Sequence, residues 1–135
     1  MNVKNILLGL ARIIPAVILL QTLYFKFTGH PDSVALFSEL GAEPFGRIGI
    51  GVFELIAGLL LLIPKTTRFG AFISLGLMVG AIGSHLFVLG IDYNNDGGTL
   101  FFMAVIVFVF SASLVYYFRK ALINDFKKLL NKGER

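Results

Sequence analysis

The sequence contains no cysteine and little charge. Its 135 residues include no Cys, and only 15% of them are Asp, Glu, Lys or Arg. Without thiols the chain can form no disulfide framework and cannot perform thiol catalysis itself, so any redox chemistry must come from another molecule. With so few charges and 56% apolar residues, the chain is too hydrophobic for a soluble domain of this size, which points to the membrane.

Four long apolar runs account for most of this hydrophobicity. Each is long enough for a helix to cross the ~30 Å hydrocarbon core of a bilayer. They predict an all-α integral membrane fold, a four-transmembrane-helix antiparallel bundle, with helices over about residues 5–26, 44–63, 68–90 and 99–119. Residues 1–119 form the transmembrane domain in this interpretation, and residues 120–135 form a basic cytoplasmic amphipathic tail.

The first apolar run begins close to the N-terminus but differs from a signal peptide. It is longer than a typical signal-peptide core and is followed by no small-residue cleavage pattern, so we expect a retained helix. The first outer loop contains DSVALFSELG, in which Asp32 or Ser33 can cap a short helix that Gly41 ends. This segment is too short to cross the membrane, and its amphipathic pattern predicts a helix at the interface or over the mouth of the bundle.

The Lys and Arg residues are concentrated on one side of the predicted membrane. By the positive-inside rule, both termini are cytoplasmic and the protein is a multi-pass protein of the bacterial inner membrane. The basic tail is expected to lie on anionic membrane lipids. Because the basic residues are sorted by membrane side and show no groove-like interleaving with aromatics, we predict no nucleic-acid partner. One side carries Lys4, Lys65, Arg68, Arg119, Lys120, Lys127, Lys128, Lys132 and Arg135, and the other carries Asp32, Glu39, Glu43, Asp92 and Asp96 with Lys26 and Arg47.

Glu54 is an unusual residue because it lies well inside the second apolar run. An ionisable group at that depth is costly and is a functional-site hypothesis by default. Gly51 and Gly58 lie three residues before it and four after it, so its helix face is small and suited to packing against another helix. Glu54 is therefore predicted to point into the bundle.

Three further polar residues join Glu54 as candidates for ligand binding or proton handling. Depths estimated from ~1.5 Å per residue place Glu54 near the midplane, Arg12 somewhat below it, His85 above it, and Lys26 at the outer edge. An Arg side chain could span the offset to Glu54. The alternatives are a structural Arg12–Glu54 pair that fixes helix register, a hydrogen-bonded core histidine at His85, and a helix-end lysine that snorkels at Lys26.

The third loop contains a partial calcium-loop pattern. Asp92, Asn94 and Asp96 provide oxygen donors at alternate positions, followed by Gly97, but Met103 stands where a bidentate Glu is required. Two interpretations remain, a polar turn that ends in a glycine pair and a weak calcium site or entry loop. We predict no metal site elsewhere in the chain.

The order and spacing of these features resemble the DoxX-like family of small four-helix bacterial inner-membrane proteins, over the whole chain apart from the tail. The resemblance rests on Arg12 and Lys26, the short loop helix, Gly51-x-x-Glu54-x-x-x-Gly58, Thr67-Arg68, His85 and Asp96-Gly97-Gly98. It implies a bundle similar to the small subunit of thiosulfate:quinone oxidoreductases and related to proteins linked with thiol redox balance. The wider group includes membrane cargo receptors and a methylamine-utilisation membrane protein.

The leading hypothesis is therefore an accessory component of a membrane redox or stress-response system. It would bind a quinone or another apolar ligand between its helices, carry no covalent cofactor, and be at most a subunit of a quinone-linked oxidoreductase rather than a stand-alone enzyme. The alternatives are a non-enzymatic scaffold or cargo-type partner of a membrane or periplasmic protein, and a small proton-coupled transporter. A homo-oligomer is compatible with all three. The resemblance assigns no catalytic residue to this chain.

Overall fold

The computed structural model describes residues 2–134. Met1 and Arg135, which the predicted membrane domain and tail include, lie outside the described residues. Within them the secondary structure is helical, and no strand occurs. The α-helices are α1 (Val3–Phe27), α2 (Pro31–Glu39), α3 (Phe45–Leu62), α4 (Thr67–Ser84), α5 (Thr99–Tyr117) and α6 (Arg119–Gly133). A π-helical turn, His85–Leu89, prolongs α4, and a 3₁₀ turn, Tyr93–Asn95, lies in the third loop.

Four helices are long and apolar enough to cross a membrane: Val3–Phe27, Phe45–Leu62, Thr67–Leu89 and Thr99–Tyr117. The predicted all-α membrane bundle is therefore confirmed. The protein is a multi-pass membrane protein by the length and composition of these helices, and their apolar outer faces are the surfaces that lipid would cover.

The four spanning helices form an antiparallel bundle in which each contacts two neighbours. α1 packs against α3 and α5, and α4 packs against the same two helices from the opposite side. In the centre, Ser74 of α4 and Ser111 of α5 are fully buried and share a hydrogen bond of 2.6 Å. The apolar core between the helices consists of Ala16, Leu19, Ala57, Leu61, Ala71, Met78, Ala104, Val107 and Leu114.

Glycines permit close packing on both faces of α3. A Cβ on Gly70 of α4 would lie 2.6 Å from the Leu61 nitrogen and 2.8 Å from the Ala57 oxygen. On the other face, a Cβ on Gly58 would lie 2.7 Å from the Leu20 side chain of α1. Because α3 is held so closely on both faces, polar groups along it meet side chains of α1 at short range.

The bundle has two chemically different ends. One end, called the basic end below, carries the start of α1, the α3–α4 link and α6. The opposite end, called the acidic end, carries α2 and the loop from Gly90 to Gly98. α6 is docked at the basic end through Leu122, which is buried, and through a 2.6 Å ion pair between Arg68 and Asp125.

The short helix in the first outer loop is present, but its cap differs from the prediction. α2 begins at Pro31, and the His30 ring accepts a hydrogen bond of 3.2 Å from the Asp32 backbone nitrogen. Asp32 and Ser33 were therefore the wrong candidates for the cap, because Pro31 lacks an N–H and starts the helix earlier. The chain leaves α2 through Gly41, whose φ of +69° favours glycine.

Candidate functional site

A buried ion pair joins α1 to α3 toward the acidic end. The Lys26 ammonium lies 3.0 Å from Glu54 Oε2, and the two side chains are only 14% and 7% exposed. The Thr22 hydroxyl, one helical turn before Lys26, lies 3.2 Å from the same carboxylate oxygen and 2.8 Å from the Leu19 carbonyl, so these two acceptors share its proton. Glu54 thus points into the bundle as its flanking glycines predicted.

The sequence places these three groups together through the periodicity of two helices. Thr22 and Lys26 are four residues apart and share one face of α1. Opposite them, Gly51 leaves room for the Phe27 ring, which a Cβ would approach to 2.8 Å. The close approach of α1 and α3 lets the Lys26 side chain reach inward to Glu54 instead of outward to the membrane surface.

Arg47 is part of the same region but was not among the predicted site residues. Its Nε lies 2.8 Å from Glu43 Oε1, and another guanidinium nitrogen donates to the Lys26 carbonyl. Arg47 is 9% exposed, which is low for an arginine. The signal was available, since Glu43 and Arg47 are four residues apart at the start of an apolar helix. Arg47 therefore fixes the end of α1 that carries Lys26.

The predicted proximity of Arg12 and Glu54 is wrong. Arg12 donates to the Leu61 carbonyl at 3.1 Å and to the Leu62 carbonyl at 2.6 Å. These carbonyls belong to the last turn of α3. Carbonyl groups in the last turn of a helix have no hydrogen-bond donor within that helix. The Thr67 hydroxyl lies 3.2 Å from the Leu61 carbonyl and 3.0 Å from the Ile63 carbonyl, which share its proton. Arg12 therefore caps α3 at the basic end, while Lys26 takes the position beside Glu54.

His85 is buried at the start of the π-helical turn and has partners of its own. Its Nδ1 lies 2.9 Å from the Gly90 carbonyl, and its ring meets Phe101 of α5 edge-on, with centroids 5.9 Å apart. This arrangement agrees with the alternative of a hydrogen-bonded core histidine. The structure does not place His85 in the Lys26–Glu54 cluster.

The carboxylates of the third loop accept hydrogen bonds from its backbone. Asp92 accepts from the Gly97 nitrogen at 2.9 Å, and Asp96 accepts from the Gly98 nitrogen at 2.8 Å and from the Leu100 nitrogen at 3.1 Å. These contacts make the loop a polar turn that ends in a glycine pair and caps α5. In residues 2–134 no group of three His, Asp or Glu side chains is placed to hold a metal ion.

Tyr93 is a buried residue in this loop that was not among the predicted site residues. It is 8% exposed. Burial raises the pKa of the Tyr93 phenol above its ordinary value, and the nearby Glu39 carboxylate of α2 raises it further. Tyr93 therefore stays neutral and links the third loop to α2 across the acidic end.

The candidate site is therefore the cluster of Thr22, Lys26 and Glu54, with Arg47 behind it. The Lys26 ammonium can donate hydrogen bonds to a ligand oxygen, and the Glu54 carboxylate can accept a proton from a ligand hydroxyl. Lys26, with 14% of its side chain exposed, is the more accessible member of the ion pair.

Comparisons with known proteins identify one family. A family model described as DoxX matches residues 7–90, more than half of the 135 residues. The matched segment contains α2, α3, α4 and all but the start of α1, including Arg12, Lys26, Glu54 and His85. No curated protein and no solved structure matches the chain.

Proposed function

The chain belongs to the DoxX family, and from this membership and the site geometry we propose that it is an accessory component of a membrane redox or stress-response system. In this proposal the Lys26–Glu54 cluster binds the polar head of a quinone or a similar apolar ligand. The observation that carries the proposal is a lysine–glutamate pair held between two apolar helices, where charged groups are rare and costly.

The chemistry of a quinone matches the groups of the cluster. A quinone carbonyl is a hydrogen-bond acceptor, which suits the Lys26 ammonium and the Thr22 hydroxyl. A quinol hydroxyl is a donor, which suits the Glu54 carboxylate. The ligand's ring and tail would lie in the bilayer beside α1 and α3, where Phe25 and Phe53 are partly exposed to the outside. The chain would bind the ligand and handle its protons, and a partner protein would supply the electrons.

The distribution of charge supports a bacterial inner-membrane location with both termini in the cytoplasm. The basic end carries Lys4, Lys65, Arg68, Arg119, Lys120, Lys127, Lys128 and Lys132. Lys and Arg near the ends of spanning helices favour the cytoplasmic side. The cluster of Lys26 and Glu54 would then face the periplasmic half of the membrane.

A second candidate function is a non-enzymatic scaffold in which the same ion pair only fixes the register of α1 on α3. It is favoured by the completeness of the hydrogen bonding: within residues 2–134, no buried side-chain nitrogen or oxygen lacks a partner. A buried pair of this kind can serve structural specificity alone.

A double variant distinguishes the two functions. Removing only Glu54 would leave a buried lysine without its partner, at a cost of about 3–5 kcal/mol, whereas replacing both members by apolar residues is often neutral. We therefore expect Lys26→Met/Glu54→Leu to keep the thermal stability of the purified protein. We expect it to lose binding of a short-chain ubiquinone, measured by equilibrium dialysis in detergent.

The matched control is Lys65→Gln, which removes an exposed charge at the basic end and should leave binding unchanged. Glu54→Gln alone should lower both the stability and the binding. If the folded double variant binds the ubiquinone as the wild type does, the ligand proposal is wrong and the structural role of the pair is favoured.

A further inference from the structure

Two adjoining grooves lie at the basic end, far from the Lys26–Glu54 cluster along α1. The first runs between α1 and α5, and its α1 wall is formed by Leu7, Leu8 and Ala11 below Lys4. The second lies at the junction of α5 and α6 and is lined by Tyr116, Arg119 and Lys120. The two grooves share Ser113 and Tyr117, so they lie side by side along α5.

The mouth of these grooves is positively charged and aromatic. The Lys4 ammonium lies 5.4 Å from the centre of the Tyr117 ring, and the Arg119 guanidinium lies 4.1 Å from that of Tyr116. Arg119 also donates to the Tyr116 carbonyl at 2.8 Å. Tyrosines at the end of a spanning helix are typical of the headgroup level of a bilayer. The cations are therefore held where lipid phosphates lie.

No carboxylate neutralises these cations within the grooves. The lining residues, all within the described range 2–134, include no Asp or Glu. The acidic residue of α6 that contacts the bundle, Asp125, is paired with Arg68 of α4. The mouth thus has an unbalanced positive charge, while the α1–α5 groove beneath Lys4 is mostly apolar.

This combination selects one class of ligand. A free phosphate ion would use the cations but gain nothing from the apolar groove. A zwitterionic lipid would fill the groove but bring no net charge to the cations. An anionic phospholipid uses both, and basic pockets between spanning helices bind such headgroups.

We propose that the α1–α5 seam at the basic end binds one anionic phospholipid. Its phosphate lies at Lys4 and Lys120, and one acyl chain follows Leu7 and Leu8 along the seam. This site is separate from the Lys26–Glu54 cluster, and the inference does not depend on the proposed quinone.

Native mass spectrometry of the purified full chain with phosphatidylglycerol tests this site. We expect one phosphatidylglycerol to bind in preference to phosphatidylcholine. Because a Lys near the lipid surface contributes enough to change affinity about fivefold, Lys4→Gln and Lys120→Gln should each raise the dissociation constant by about that factor. Lys65→Gln removes a lysine at the same end but outside both grooves, and it should change nothing.

A substitution that leaves the net charge unchanged separates the contribution of the groove to lipid binding from that of the charges. Ser113 is exposed and lies in both grooves, so Ser113→Phe should fill the seam and weaken the bound lipid while the net charge stays the same. Equal binding of the two lipids, or an equal loss in Lys65→Gln, would overturn the proposal, since either result means non-specific attraction to the basic end. If Ser113→Phe fails to fold, the Lys variants and their control still decide the question.

Discussion

Gly70 is a residue at which α4 lies directly against the backbone of α3. A Cβ there would meet the Leu61 nitrogen at 2.6 Å and the Ala57 oxygen at 2.8 Å. Both atoms belong to the backbone of α3 and cannot move aside as a flexible side chain can. The separation of α3 and α4 is therefore set by the absence of a side chain at this position.

We accordingly expect Gly70→Ala to destabilise the bundle. Overpacking of this kind costs about 1–3 kcal/mol, so the variant should show a clearly lower melting temperature in detergent. Gly76→Ala is the matched control on the same helix, because a Cβ at Gly76 has no neighbour within 4 Å. Gly76→Ala should be neutral or slightly stabilising, since Ala favours helix more than Gly. Equal effects of the two substitutions would contradict this account of Gly70.

Tyr93 provides a prediction for alkaline pH. Because burial and the Glu39 carboxylate raise the pKa of its phenol, the difference between wild-type and Tyr93→Phe absorbance titrations should have a midpoint above the ordinary ~10. Glu39→Gln should move that midpoint down. The pKa of Tyr93 is higher in the folded protein than in the unfolded chain. Its contribution to the free energy of unfolding is therefore fully present below the unfolded pKa, and it is lost as the pH rises through the folded pKa. A midpoint at or below ~10 would rule out this effect.

The residue-scale predictions from sequence succeeded where a local pattern sufficed and failed where partners were distant. The glycines around Glu54 correctly indicated an inward carboxylate. Arg12 was predicted as its partner because the two residues have similar estimated depths in the membrane, but similar depth does not place two side chains in contact. Arg12 instead meets the carbonyls that α3 leaves free at its end, and Lys26 reaches inward because α1 and α3 pack so closely. Helix rise alone indicates neither the freed carbonyls nor the direction of a long side chain.

At the scale of elements, α6 is a helix held to the bundle by a few contacts. Arg68 and Asp125 are 2.6 Å apart but 29% and 25% exposed, and the rings of Phe72 and Phe126 meet edge-on at 5.5 Å. A partly exposed ion pair contributes only about 0–1 kcal/mol. Single substitutions at these contacts should therefore weaken the docking of α6 measurably.

Hydrogen exchange over residues 119–133 measures this docking. We expect Arg68→Gln to speed exchange by up to about fivefold, which corresponds to ~1 kcal/mol, and Phe126→Ala to speed it further by removing the aromatic contact. Lys128→Gln, at an exposed position of the same helix, should leave the rates unchanged. If Arg68→Gln behaves like Lys128→Gln, the ion pair does not hold α6.

The helices themselves were predictable because long apolar runs leave few alternatives. The predicted third span, residues 68–90, corresponds to two pieces, α4 and the π-helical turn that begins at His85. Hydropathy cannot predict such a turn, because a π-helical turn changes the pattern of backbone hydrogen bonds without changing the residue composition. The break between α5 and α6 likewise depends on the backbone conformation of one residue, Phe118, which hydropathy does not report.

At the scale of the whole molecule, the two ends of the bundle carry different groups. The acidic end holds the Lys26–Glu54 cluster and the linked α2 and third loop. The basic end holds the Arg12 cap of α3, the docked α6 and the grooves beside Lys4. The proposed ligand and the proposed phospholipid thus occupy opposite ends of the same molecule, so the two sites can be tested independently.

The contacts of α1 with α3 also bear on how the protein is made. Arg12 and Lys26 are synthesised first, but their acceptors at Glu54, Leu61 and Leu62 come at least one further helix later in the chain. A charged residue near the centre of a lone spanning helix costs about 2.5–3.5 kcal/mol on insertion, which applies to Arg12, whereas Lys26 lies in the last turn of α1. We therefore expect α1 to settle fully in the bilayer only after α3 has left the ribosome and inserted beside it.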